Sequence, residues 1–151
     1  MDDRLATRAW ARWGVVGLAR LVVVAVFAAA ALPKLIDLPG FAADIANYRA
    51  FPHWSVNLLA GVVPMVELVG AASILTGWKR RGGALMLGGL TVGFIVLIAS
   101  VIVRGIDVGC GCFGSDVDAS PVGWPLLGRD ALLLVAIAVA AIDAERPGPA
   151  A

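Results

Sequence analysis

Long apolar runs separated by short polar segments dominate the chain. A transmembrane helix needs roughly 20 mostly apolar residues, and the runs that approach this length are 13–32, 54–75, 83–103 and 126–142. The fourth run is the shortest, and Trp124 precedes it where an indole ring can anchor a helix at the membrane interface. The pattern predicts an all-α fold, a polytopic four-helix membrane bundle over residues 13–143. We expect residues 1–12 to be a cytoplasmic segment and residues 144–151 a disordered cytoplasmic tail.

The composition supports this prediction. Of the 151 residues, 60% are hydrophobic and 15% are charged, whereas soluble domains are nearer half apolar with about a quarter charged. The net charge of +1 argues against a nucleic-acid partner, which would require a basic surface. The first apolar run exceeds the roughly 7–15 residues of a signal-peptide core, so we expect it to remain as the first helix.

The distribution of basic residues predicts the orientation. Seven Lys and Arg residues belong to one side of the bundle: Arg4, Arg8, Arg12, Lys79, Arg80, Arg81 and Arg146. Four belong to the other side: Lys34, Arg49, Arg104 and Arg129. Because the basic side is usually cytoplasmic, we expect both termini in the cytoplasm. The loops at 33–53 and 104–125 would then face outward.

The first outward loop contains a short amphipathic pattern. Phe41, Ile45 and Tyr48 recur at helical spacing among polar residues, which predicts a short helix lying in the membrane interface. One interpretation is that this helix only seals the outer surface of the bundle. The other is that it covers the second outward loop.

The second outward loop carries the only two cysteines, Cys110 and Cys112, within the glycine-rich segment 109–114. Two positions along an extended chain span roughly 6.5–7 Å, whereas a disulfide requires Cα atoms about 4.4–6.8 Å apart. A bridge between them therefore needs a tight bend. Strained and exposed disulfides are typically the labile or catalytic ones, so a redox-active dithiol is the preferred interpretation of the pair.

Two other interpretations of the cysteine pair stay open. Two thiolates suit Cu(I), and the segment can also be a structural turn without chemistry. Arg104 and Arg129 flank the loop and would favour a thiolate, whereas the aspartates at 107, 116 and 118 oppose this. We assign no protein metal site, because one histidine and two cysteines fall short of the four ligands of a structural zinc site.

Arg20 and Glu67 are the charges most clearly inside the predicted membrane helices. Intramembrane charges are usually paired or functional. The preferred interpretation is a structural Arg20–Glu67 pair joining the first two helices. The alternative makes both residues weak candidates for a cofactor site that holds a quinone headgroup or a proton. Gly89 and Gly93 form a Gly-x-x-x-Gly pair that predicts close packing of the third helix.

The chain resembles the methylamine utilisation protein MauE family, a branch of the DoxX-like four-helix membrane proteins, from about Arg20 to Ile142. Four segments carry the resemblance: Lys34-Leu35, Pro64-Met65-Val66-Glu67-Leu68, Cys110-Gly111-Cys112-Phe113-Gly114 and Arg129-Asp130. Leu32-Pro33 departs from the small residue or glycine that is more usual there. The resemblance implies a role in methylamine dehydrogenase maturation beside a thioredoxin-like partner, with the dithiol role falling on Cys110 and Cys112.

The sequence thus predicts a multi-pass protein of the bacterial cytoplasmic (inner) membrane that exchanges thiols and disulfides at the outer face. Cys110 and Cys112 are the candidate catalytic residues. A non-catalytic membrane assembly factor is the alternative, followed by a Cu(I)-binding membrane protein. Because no second dithiol exists to relay electrons, a quinone is a candidate cofactor.

Overall fold

Five α-helices make up the part of the chain that the computed structural model describes, residues 3–106 and 124–142. They are α1 (Asp3–Ile36), α2 (Leu38–Asn47), α3 (His53–Thr76), α4 (Arg80–Arg104) and α5 (Trp124–Ala140). The predicted all-α class is therefore confirmed. The cysteine segment and the predicted tail at 144–151 lie outside the described residues.

Four of the helices form a closed bundle. α1 and α4 each pack against both α3 and α5, and the short α2 packs mainly on α3. The four long helices enclose a main core, and a smaller cluster around Ile98 and Leu126 joins α4 to α5. The core contains Val23, Phe27, Ile74, Leu87 and Ile137. The predicted four-helix bundle is confirmed, and so is a short helix in the first connection.

Three helices within the described ranges are long and apolar enough to cross a membrane: Trp10–Ile36, His53–Thr76 and Arg80–Arg104. The fourth predicted span corresponds to α5, whose 17 residues extend about 25 Å at 1.5 Å per residue, less than a hydrocarbon core of about 30 Å. Large apolar side chains such as Leu18, Leu85 and Leu132 cover the outside of the bundle. Apolar helices with an apolar exterior are those of a multi-pass membrane protein.

Arginine side chains show which helix ends lie together. Arg20 donates to the backbone carbonyls of Ala140 (3.2 Å) and Ile142 (2.6 Å), so α5 ends beside the middle of α1. At the opposite end, Arg104 donates to the carbonyls of Tyr48 (2.7 Å) and Arg49 (3.3 Å). The end of α1, the end of α4, the start of α5 and α2 therefore share one end of the bundle, here termed the α2 end.

α1 continues four residues beyond its predicted end at Leu32. Pro33 lies inside the helix, and its carbonyl accepts a hydrogen bond from the amide of Asp37 (3.0 Å), so the helical geometry persists past the proline. Asp37 then caps α2, because its carboxylate accepts from the amide of Gly40 (2.9 Å) and satisfies a free donor of the first turn. The extension places Lys34 on the last turn of a helix rather than in a loop.

The close approach of α3 and α4 occurs at Gly70 and Gly83. A Cβ atom added to Gly83 would lie 2.6 Å from Ser73 Cβ and 2.9 Å from the carbonyl oxygen of Gly70. Among the residues that the structure describes, a Cβ added to Gly89 or Gly93 would meet nothing within 4 Å. The prediction of close packing at the Gly-x-x-x-Gly pair is therefore wrong, because that pair faces an open surface groove.

Candidate functional site

An ion pair joins Lys34 in the last turn of α1 to Glu67 in the middle of α3. Lys34 Nζ donates to Glu67 Oε1 at 2.5 Å, and the two side chains are only 1% and 2% exposed. Lys34 comes from the last turn of α1 and Glu67 from α3. Removing both charges from water is costly unless they remain paired, so each residue holds the other helix in register.

The predicted Arg20–Glu67 pair is therefore wrong. Arg20 lies 14 positions before Lys34, which corresponds to about 20 Å along the helix axis at 1.5 Å per residue. It instead donates to carbonyls at the end of α5, where a cation is favoured by the helix dipole. The error arose because α1 continues past its apolar run to Ile36, so that Lys34 and not Arg20 is the basic residue of α1 that reaches Glu67.

Two aromatic rings complete the surroundings of Lys34. The ammonium nitrogen lies 5.2 Å from the ring centroid of Phe41 and 5.4 Å from that of Phe94. A cation near a ring face gains electrostatic attraction, more so when water is excluded. Phe41 belongs to α2 and is buried, so α2 covers the ion pair. Whether α2 also covers the second outward loop stays a prediction, because residues 107–123 of that loop lie outside the described residues.

Glu67 retains one oxygen without a hydrogen bond. Oε2 is buried and has no donor within the part of the chain that the structure describes. Leaving a buried acceptor unpaired costs about 1–3 kcal/mol, and more for a charged group. Buried polar atoms are nearly always satisfied, so an exception calls for an explanation.

A second acidic residue approaches the same region from α5. Arg129 donates twice to Asp130 Oδ1, through Nε at 3.0 Å and Nη2 at 2.9 Å. Asp130 is buried, whereas Arg129 is partly exposed. Thr91 of α4 is also buried, and its hydroxyl donates to the carbonyl of Leu87 at 2.8 Å.

Glu67, Thr91, Arg129 and Asp130 line one cavity of about 250 Å³. The remaining walls are aliphatic and aromatic side chains of α1, α4 and α5. The bundle thus contains an apolar chamber with a small polar group at the α2 end. Pockets of this kind, mostly apolar with a few placed polar atoms, are typical of small-molecule sites.

Tyr48 connects α2 to this polar group. Its side chain is buried, and burial raises the pKa of its phenol to about 12, with the carboxylates of Asp44 and Asp130 adding to the increase and Arg129 opposing it. The phenol is therefore neutral at physiological pH. Arg104 donates a hydrogen bond to the backbone carbonyl of Tyr48. This bond fixes the end of α2 to the end of α4.

The predicted catalytic residues, Cys110 and Cys112, lie outside the described residues, and their role stays a prediction. Of the two arginines expected to flank them, Arg104 donates to backbone carbonyls of the segment that follows α2 and of its own helix. Arg129 donates to Asp130. Both lie at the α2 end, where the connection that contains the cysteines leaves α4 and enters α5.

Sequence reasoning missed Lys34 and Asp130 as buried charges. Lys34 was placed in the first outward loop, and Asp130 was named only within the Arg129-Asp130 segment of the family resemblance. A signal was nevertheless present. Three of the four segments that carry the family resemblance, those containing Lys34, Glu67 and Arg129-Asp130, meet at this polar group. Short segments far apart in sequence thus form one site.

Comparison with known proteins gives the family. The family model of the methylamine utilisation protein MauE matches residues 9–143. The chain is 31% identical over 122 residues to the methylamine utilization protein MauE of Paracoccus denitrificans, covering 80% of this chain and 64% of the relative. The corresponding proteins of Paracoccus versutus and Methylophilus methylotrophus are 32% and 33% identical, with 85% and 86% of this chain and 70% of each relative covered.

The chain thus spans slightly less than two thirds of the length of the Paracoccus denitrificans relative. No solved structure matches the chain. The match to the family model extends over all four helices of the bundle. The chain therefore belongs to the MauE family of methylamine utilisation proteins.

Proposed function

We propose that this protein is a membrane-bound thiol–disulfide exchange factor in which Cys110 and Cys112 carry the chemistry. The observation that carries the proposal is the Cys-Gly-Cys sequence, which holds the only two cysteines of the chain between glycines 109 and 114. Such a short ring adds little stability as a structural staple. A pair of this kind is better suited to reversible oxidation than to holding a fold together.

In the exchange, the thiolate of one cysteine attacks a sulfur of the partner's disulfide and forms a mixed disulfide. The thiolate of the other cysteine then displaces the partner's sulfur. Two electrons pass from the cysteine pair to the partner, whose disulfide becomes two thiols after proton uptake. Running the same steps backwards oxidises the partner and reduces Cys110 and Cys112.

Helices of the bundle border the cysteine connection on both sides. α4 ends at Arg104, which is bonded to two carbonyls of the segment following α2. α5 begins six residues before Asp130, which is buried against the bundle. The connection that contains the cysteines thus joins the end of α4 to the start of α5.

The proposed setting is the bacterial cytoplasmic membrane, with both termini in the cytoplasm and the cysteines outside. The excess of basic residues in the opposite loops supports this orientation, and an oxidising compartment permits disulfides. The partner is a thioredoxin-like extracytoplasmic protein. Since the relatives are named for methylamine utilisation, maturation of methylamine dehydrogenase is the proposed pathway.

A redox titration of the purified protein tests the proposal. Thiols are alkylated in buffers of stepped potential, and the mass shift reports the oxidised fraction of the Cys110–Cys112 pair. We expect a single two-electron transition at a potential above about −300 mV, the upper limit of typical structural bridges. A pair that stays reduced at every potential would leave a non-catalytic assembly factor as the better description. Stoichiometric Cu(I) in the reduced protein would indicate metal binding instead.

The orientation has its own test. After mild reduction, a membrane-impermeant maleimide should label Cys110 and Cys112 in right-side-out vesicles. The double Cys110→Ser/Cys112→Ser variant is the control, because it lacks every thiol of the chain. Labelling confined to inverted vesicles would reverse the proposed topology.

A further inference from the structure

The cavity beside Glu67 has the size of one substituted ring. Its volume is about 250 Å³, and an apolar cavity of about 150 Å³ in a soluble protein is known to hold benzene. Apart from its polar end, it is lined by side chains such as Phe27, Leu133 and Ala136. Such walls suit an apolar ring and offer no partner to a strongly hydrated group.

The polar end of the cavity needs a hydrogen-bond donor. Glu67 lines the cavity, and its Oε2 is buried and has no donor among the described residues. The other oxygen, Oε1, is occupied by Lys34. A ligand that places an O–H or N–H group at Oε2 would satisfy the one buried carboxylate oxygen that the bundle leaves without a partner in its described part.

The charges around the cavity favour a neutral donor. Lys34 is paired with Glu67, and Arg129 is paired with Asp130, so the formal charges of these four groups cancel. An anion would be repelled by the free carboxylate oxygen of Glu67. A cation would lose its hydration without gaining a net opposite charge in the cavity. A neutral hydroxyl group can donate to Oε2 without disturbing either pair.

The cavity opens toward lipid. Val22 of α1 and Leu132 of α5 line it and are 44% and 73% exposed on the apolar exterior of the bundle. A molecule that enters between these helices comes from the bilayer rather than from water. The ligand should therefore be lipid-soluble, neutral and ring-shaped, with a hydroxyl group as donor.

We propose that this cavity binds the ring of a membrane quinol, with one phenolic O–H donating to Oε2 of Glu67. The reduced form has this donor, and the oxidised quinone has only carbonyl acceptors. The site should therefore discriminate in favour of the quinol. A role of the quinol as electron partner of Cys110 and Cys112 rests on the proposed function. Its binding in the cavity does not depend on that function.

Binding of two matched probes tests the redox preference. The full-length protein in lipid nanodiscs is titrated anaerobically with decylubiquinol and with decylubiquinone. Hydrogen bonds to charged groups have a large enough free energy to change affinity by about tenfold or more. We expect the quinol to bind at least about tenfold more tightly. Equal affinity, or tighter binding of the quinone, would overturn the proposal.

A variant that fills the cavity provides a test that leaves the ion pairs intact. Ala136 lines the cavity, and Ala136→Phe should occupy the space of the ring and abolish quinol binding. Ala138 lies on the same helix and is exposed on another face, where it lines a different groove. Ala138→Phe should bind the quinol as the unmodified protein does. Equal binding by the two variants would place the quinol elsewhere.

Two further measurements test whether quinol binding arises from the cavity or from another source. Decanol offers a hydroxyl group without a quinol ring, and binding as tight as that of decylubiquinol would show a general lipid-alcohol site and contradict the assignment. The double Cys110→Ser/Cys112→Ser variant should bind the quinol normally. A loss of binding there would contradict a site formed by the helices, whereas a failed redox titration with normal quinol binding would remove only the thiol–disulfide function.

Discussion

Lys34 of α1 and Glu67 of α3 form a buried ion pair 2.5 Å long beneath α2. The two residues are 33 positions apart in the chain, and each belongs to a helix that is long and apolar enough to cross a membrane. Burial makes each charge dependent on the other, because neither can be solvated by water in place of its partner. The pair thus fixes the relative position of α1 and α3 and holds a carboxylate oxygen inside the bundle.

Replacing one partner of this pair should destabilise the protein more than the pair's complete removal would suggest. Lys34→Met and Glu67→Gln should each destabilise the protein by about 3–5 kcal/mol, because each leaves a buried charge or amide without its partner. The double variant should lose less than the sum of the two. Reversible unfolding in mixed detergent micelles measures the free energy of unfolding of the unmodified protein, the two single variants and the double variant.

The matched control for this cycle uses Arg20. Arg20→Met should weaken the contact with the end of α5, but its effect should add to that of Glu67→Gln within about 0.5 kcal/mol. Effects of distant sites are additive, and Arg20 lies about 20 Å along α1 from Lys34, the residue that contacts Glu67. Strong coupling between Arg20 and Glu67, together with none between Lys34 and Glu67, would contradict the ion pair described above.

The glycines of α3 and α4 should differ in their tolerance of alanine. Gly83→Ala should destabilise the protein by about 1–3 kcal/mol, as overpacking does in tight cores, because its Cβ would meet Ser73 and the backbone of Gly70. Gly93→Ala adds a methyl group in open space and should be neutral or stabilising by up to about 1 kcal/mol. Detergent unfolding of the two variants gives the comparison, and a greater loss for Gly93→Ala would contradict the observed helix contact.

The sequence was sufficient for the architecture but not for the pairing of charges. Apolar runs of membrane length predict helices because lipid leaves the backbone no other hydrogen-bond partner. Which buried charges meet depends on helix register and tilt, and a shift of one turn changes the partner. Lys34 appeared to lie in a loop because Pro33 usually ends a helix, whereas here α1 continues to Ile36.

The helix in the first connection was predictable for a different reason. Phe41 and Tyr48 repeat at a helical period, and both prove to be buried. The cavity, in contrast, had no local signal, since its walls come from four helices. Only the three resemblance segments containing Lys34, Glu67 and Arg129-Asp130 pointed to it, and no spacing rule connects residues so far apart.

The phenol of Tyr48 should ionise only at high pH. It is the only tyrosine in the chain, so absorbance of the phenolate near 295 nm reports it alone. Its pKa is raised to about 12 in the folded protein, against about 10 when unfolded. The neutral phenol therefore adds no pH-dependent stability below pH of about 10, and the fold loses stability between pH of about 10 and 12 as only the unfolded chain ionises.

Tyr48→Phe is the control for this titration. The variant should show no phenolate transition, and it should lose the stability change that Tyr48 causes above pH of about 10. A midpoint near 10 in the folded protein would show that Tyr48 is in contact with water and would contradict the burial of the end of α2.

The central claim is that Cys110 and Cys112 exchange disulfides with a partner, and single-cysteine variants test it most directly. Cys110→Ser and Cys112→Ser are each expressed in cells, and membranes are analysed on non-reducing gels with mass spectrometry of captured proteins. The double variant, which can form no disulfide, is the control. We expect one single variant to capture a thioredoxin-like protein in a mixed disulfide that reductant releases, because the resolving thiol is absent. The claim would be contradicted if both single variants supported full maturation of methylamine dehydrogenase, the proposed pathway, and neither captured a protein.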